Sequence, residues 1–152
     1  MSRLVATYAA VSISLSGALA AQPAAPTPRA EILGTRALEA YDQGDAILAA
    51  ILWRLSAQQG SADSMTAYAG LLAEGDGVAQ NSAEARKWYA RAARRGDAHA
   101  MVLLAEILGE GPVANSLLNE AAARGHRYAQ RRLAQPPGET KPAPSGGNGE
   151  DR

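Results

Sequence analysis

Two glycines, Gly60 and Gly96, lie 36 residues apart and carry matching neighbours at the same offsets on both sides. Counting back three, seven and eleven positions gives Ala57 and Ala93, Trp53 and Tyr89, and Ala49 and Ala85. Counting forward two, five, twelve and fifteen gives Ala62 and Ala98, Met65 and Met101, Leu72 and Leu108, and Gly75 and Gly111. A fixed period of this kind marks stacked supersecondary units, none of which can bury its apolar face alone. The chain must therefore build its core between copies of one unit. That unit reads as helix–loop–helix, because apolar residues recur at helical spacing on either side of the corner Gly75-Asp76-Gly77.

The next closing glycine, Gly125, follows Gly96 by 29 residues, seven fewer. Seven residues are about two helical turns, so a helix shortened by that amount keeps its apolar face nearly in phase. Counted back from Gly125, Ala121 and Ala122 and then Leu117 and Leu118 keep the pattern. The expectation is a third unit that loses helix length and retains its packing face.

The periodicity places helices at about 30–42, 45–58, 62–73, 82–95, 98–108, 114–124 and 126–134. Asp97 and Ser82 suit the N-caps of the fifth and fourth. Glycines at 44, 60, 75, 96, 109, 111 and 125 fall where left-handed C-caps or tight corners are needed. The fold class is all-α: a short αα-repeat superhelix, or solenoid, of about three helix pairs. Its final helix carries Arg127, Arg131 and Arg132 and would cap the stack with a polar face.

The residue mix agrees. The chain is 47% hydrophobic but 5% aromatic with no Phe, so its apolar surface comes from Ala, Leu and other small aliphatics, which favour close-packed helices over a β-sandwich. Lys plus Arg and Asp plus Glu are both 15, leaving no global field to attract nucleic acid or an anionic membrane. The absence of Cys removes disulfides, thiolate nucleophiles and Cys-ligated metals. No G-x-S-x-G, phosphate loop or H-E-x-x-H occurs, so no cofactor or metal is expected.

Residues 1–20 read as a signal peptide, with Arg3 as its positive start, an apolar run from Leu4 to Leu15, and Ala18-Leu19-Ala20 as the cleavage site. The run falls short of the ~20 strongly apolar residues of a spanning helix, so no membrane insertion is expected once it is removed. Residues 21–29, with three prolines, read as a tether, and residues 135–152, rich in Pro, Gly and charge, as a disordered tail. Residues 30–134 are left as the repeat domain. The destination expected is a bacterial periplasm, with secretion as the other exported compartment.

The corner Gly75-Asp76-Gly77-Val78 and the helix running from Ala83-Glu84-Ala85 through Trp88-Tyr89 and Ala92-Ala93 to Gly96 closely resemble the SEL-one-like repeat (SLR) family. This is the α/α-repeat branch related to tetratricopeptide repeats. The resemblance covers residues 40–134. It implies structural roles for Gly60, Gly75, Gly77, Trp88, Tyr89, Ala92, Ala93, Gly96 and Gly125. Gly111-Pro112-Val113 would be a degenerate corner, and Leu117-Leu118 replaces the Trp-Tyr pair. For function it implies a scaffold or adaptor that binds proteins, often exported in bacteria, and no enzyme.

The first helices of successive pairs are expected to line a concave groove. Thr66, Ala67, Glu74, His99, Val102 and Glu106 are expected to be exposed there and to meet a protein partner. Trp88 and Tyr89 offer a stacking surface, but their spacing fits core packing against Met65, Tyr68, Leu72 and Met101. His99 and His126 do not share an i, i+4 spacing and make a poor metal pair. Charge is lopsided: residues 29–76 hold 3 basic and 7 acidic side chains, residues 77–135 hold 9 and 5. A solvated helix face explains this, as does docking of an acidic partner on the C-terminal half. The competing reading is a small cell-wall glycan-binding or hydrolytic protein using the corner carboxylates Glu74, Asp76, Glu106 and Glu110.

Overall fold

The computed structural model describes residues 25–134. Among them are seven helices and no strand: α1 (Pro28–Asp42), α2 (Ala46–Gln58), α3 (Ala62–Glu74), α4 (Ser82–Arg94), α5 (Ala98–Leu108), α6 (Pro112–Ala123) and α7 (Arg127–Ala134). The signal expected over 1–20, the start of the tether and the tail over 135–152 lie outside the described residues. None of the described helices is long and apolar enough to cross a membrane. The most extensive contacts join α1 to α2, α3 to α4 and α5 to α6; α2 to α3, α4 to α5 and α6 to α7 follow. Contact chiefly with neighbours in the chain is how a stack of helix pairs is held together.

Four joints use one device. Gly44, Gly60, Gly96 and Gly125 have φ between +83° and +101°, a conformation open to glycine and strained for other residues. At Gly96 the glycine N–H bonds the Ala93 carbonyl at 2.9 Å and the Asp97 N–H bonds the Ala92 carbonyl at 3.2 Å, a Schellman closure. Asp97 then begins the next helix, its carboxylate accepting from the amides of His99 and Ala100. Asp45 and Ser61 do the same for α2 and α3. At three of the four joints a Gly-Asp or Gly-Ser pair thus ends one helix and starts another with no residue to spare.

The core is built largely from alanine. Ala37, Ala49, Ala69, Ala92, Ala100, Ala121 and Ala129 are fully buried, which lets helix backbones approach closely and accounts for a core without Phe. The larger side chains fill the gaps between the two helices of a pair. Tyr41 packs on Trp53 with ring centroids 5.4 Å apart, and Tyr68 meets Trp88 edge-on at 5.7 Å. Arg91 covers the Trp88 ring from outside at 4.8 Å, and Trp88 Nε1 donates to Glu84 at 3.4 Å.

Four differences from the sequence reading have local causes. The cap of α4 is Asn81, whose side chain accepts from Glu84 N, and Ser82, expected as that cap, is the first residue of the helix. Helix α1 starts at Pro28, so Pro28 and Arg29 belong to the helix instead of the tether. Proline suits the first helical position because its missing N–H has no intrahelical role there, and the Thr27 side chain accepts from Ala30 N. Likewise α6 starts at Pro112, inside the stretch expected to be a corner. The third unit is short chiefly in its corner: three residues join α5 to α6 where seven join α3 to α4, so most of the deficit is loop and not helix. Register along α6 survives because it is fixed from Gly125, and Ala121 stays buried.

Candidate functional site

The first helices of adjacent pairs leave open space between them. One groove, of about 660 Å³, runs between α1 and α3 and is lined by Glu31, Leu38, Asp63 and Ala67, with Trp53 and Arg95 at its edges. A second, of about 470 Å³, lies between α3 and α5. Asp63 and Ala67 line both, so the two grooves meet along α3.

The floor of the second groove is Tyr89, from α4. Its side chain is only 5% exposed, yet its hydroxyl borders the groove and has no hydrogen-bond partner among the described residues. Gly70 on α3 leaves that hydroxyl uncovered, for a Cβ at position 70 would lie 3.7 Å from it. Burial first, and the nearby Glu74 charge second, push the Tyr89 phenol above its usual pKa, so it remains a neutral hydroxyl.

The three groove carboxylates differ in their commitments. Asp97 caps α5 at 2.8 Å from His99 N, and its other oxygen accepts from the Thr66 hydroxyl. Asp63 and Glu74 are exposed and make no hydrogen bond among the described residues.

Of the six residues expected to face a partner, Thr66, Ala67, Glu74 and His99 come together around this second groove. Thr66 is not free, being 9% exposed and bonded to Asp97. Val102 corrects the expectation: it is 4% exposed and belongs to the core, because α5 also buries Ala100, Met101, Leu104 and Ala105 and presents little but one edge to solvent. Glu106 is exposed but outside the groove, where hydrogen bonding to it is the main cause raising the Tyr128 pKa. Tyr89 itself was legible as a core aromatic; that its hydroxyl reaches a groove depends on Gly70, a small residue whose spacing carries no such signal.

The corner acids divide between two places, with Glu74 and Asp76 both acting on Tyr41 and Glu106 standing apart from them. Asp76 stands beside Tyr41 and is the main influence raising that phenol's pKa, Glu74 borders the groove, and Glu106 faces Tyr128 on a different pair. His99 and His126 stack with ring centroids 5.8 Å apart and planes 18° from parallel, a contact their sequence spacing does not suggest. The His126 Nδ1 is buried without a partner. Among the described residues no group of three His, Cys, Asp or Glu is arranged to hold a metal ion.

No family model matches the chain, and no curated protein matches it. Solved structures do. The Sel1 repeat protein from Oxalobacter formigenes superposes with a TM-score of 0.63 at 24% identity, over 68% of this chain and 47% of that one. A protective antigen present in uropathogenic Escherichia coli strains, displaying an SLR fold, superposes with a TM-score of 0.64 at 22% identity, over 70% of this chain and 25% of that one. The chain thus spans less than half the length of either. With its helix pairs and closing glycines, it has the SLR-like fold of an all-helical repeat protein.

Proposed function

We propose that the chain is an exported, non-catalytic adaptor that holds a segment of a partner protein along the grooves between its first helices. The observation that carries this reading is that the two grooves share Asp63 and Ala67 of α3, which sets a track of adjoining open space beside Glu31, Asp63, Ala67 and Glu74. A track of that kind suits an extended or helical segment better than a compact small molecule. Export rests on the signal pattern of residues 1–20, and the absence of catalysis on the separation of Glu106, beside Tyr128, from Asp76 and Glu74, which both act on Tyr41.

The test is photocrosslinking in the native compartment, with a benzophenone amino acid placed at Ala67 in the grooves or at Lys87 on the exposed face of α4. A reproducible adduct from position 67 and none from position 87 is expected. Free monomer from both positions would defeat the adaptor reading.

A further inference from the structure

We propose that the groove between α3 and α5 is an anchoring pocket for one cationic side chain, lysine or arginine, of the bound partner, received by the Tyr89 hydroxyl and the Glu74 carboxylate. This rests on the adaptor reading and adds the chemistry of what is recognised.

Two independent observations carry it. The first is the Tyr89 hydroxyl, which sits on a side chain 5% exposed, borders the groove, and has no partner among the described residues. A hydroxyl that the fold leaves unbonded at the floor of a groove is open to water or to a ligand donor that reaches it there. The second is the charge of the walls: Asp63, Glu74 and Asp97 line the same space, with no lysine or arginine among its lining residues. Asp97 is committed to capping α5 and to Thr66, so Asp63 and Glu74 are the carboxylates left to balance an incoming charge.

The three chemical classes of side chain can be compared. An anionic group would face three carboxylates, and an apolar one would seal the Tyr89 hydroxyl away from water with its hydrogen bond unmade. An ammonium or guanidinium donates to the phenol oxygen and to Glu74 together, and such charge-assisted bonds are the stronger kind. The volume of about 470 Å³ leaves room for a long side chain and part of its backbone. Glycine at position 70 leaves room beside the hydroxyl, since a Cβ there would sit in van der Waals contact with it at 3.7 Å.

The experiment titrates the full chain with two acetylated, amidated pentapeptides that differ only in charge, Ala-Arg-Ala-Lys-Ala and Ala-Glu-Ala-Glu-Ala, followed by amide chemical shifts. Saturable binding of the basic peptide is expected, weakening as salt rises, with shifts centred on Asp63, Gly70, Glu74 and His99, and no saturable binding of the acidic peptide. Tyr89→Phe, which removes only the hydroxyl, should weaken the basic peptide about fivefold. Glu74→Gln, on an exposed residue, should weaken it about threefold or more without touching the fold. The proposal is overturned if the basic peptide does not bind, if both variants bind it like the parent chain, or if the acidic peptide binds as well. Should the basic peptide fail while the crosslinker at position 67 still captures a protein, the cationic pocket is wrong and the adaptor reading stands.

Discussion

The guanidinium of Arg95 donates to the carbonyl oxygen of Gly60 at 3.1 Å, so the residue before one closing glycine reaches back to the closing glycine of the preceding pair. Arg124 lies over Gly96 one unit later, its Nη1 2.9 Å from where a Cβ on that glycine would sit, while its Nη2 donates to Glu120 at 3.0 Å. Gln59, the matching residue of the first pair, accepts from the Thr27 hydroxyl at 3.1 Å. The residue before each closing glycine thus reaches toward the preceding part of the stack, and at Arg95 it bonds the closing turn before it.

Replacing Gly60 or Gly96 by alanine should destabilise the chain by about 1–2 kcal/mol each. The cause is the positive φ, +101° and +92°, because the arginine tips are flexible enough to move aside. Urea unfolding checks this: the midpoint should fall with the slope unchanged.

Gly77→Ala should be the most damaging glycine substitution. A Cβ there would lie 2.3 Å from the Ala46 carbonyl oxygen and 2.4 Å from its carbon, and this backbone at the start of α2 has nowhere to go. A loss of roughly 3 kcal/mol is expected, against about 1–2 kcal/mol for Gly109→Ala, where φ is +73° but the surroundings are open. Thermal unfolding of the two variants side by side gives the comparison.

Ser56 joins three helices. Its hydroxyl donates to the Ala30 carbonyl at 2.6 Å, so the Ser64 hydroxyl, 2.7 Å away, must be the donor to Ser56. Both serines are buried. Ser56→Ala leaves the Ala30 carbonyl and the Ser64 hydroxyl short of partners and should cost about 1–3 kcal/mol. Combining it with Ser64→Ala should cost less than the two single changes added together, which a double-mutant cycle measures.

The tyrosines set the alkaline limit. Tyr68, Tyr89 and Tyr128 have pKa values raised above 10.0 in the folded chain, Tyr68 and Tyr89 chiefly by burial and Tyr128 chiefly by hydrogen bonding to Glu106. Above that pH the folded state holds more protons than the unfolded one, so stability is fully present below the ordinary tyrosine pKa and falls as pH rises through the raised values. Unfolding free energy should therefore decline above pH 10.0, and Glu74→Gln should lower the Tyr89 pKa by removing a nearby negative charge. Ultraviolet titration of phenolate absorbance reads both effects.

The helices were legible because their ends are written locally: Asp97 as a cap and glycines at 44, 60 and 96 as stops all act within a few residues. What joins one pair to the next was not. The fit of Gly77 against Ala46, the Thr66 bond to Asp97 and the stacking of His99 on His126 link residues 27 to 31 apart, and no local pattern records them. Val102 was misplaced for a related reason. Its spacing is compatible with an exposed edge, and its burial follows from how many neighbours α5 packs against.

The central claim is that a partner lies between the first helices, over Tyr89. Amide chemical shifts of the labelled chain, recorded on adding the protein captured by the crosslinker at position 67, test it most directly. The account predicts changes concentrated on Asp63, Ala67, Gly70, Glu74 and His99. Changes confined to the exposed faces of α2 and α4, around Ile51 and Lys87, would contradict it.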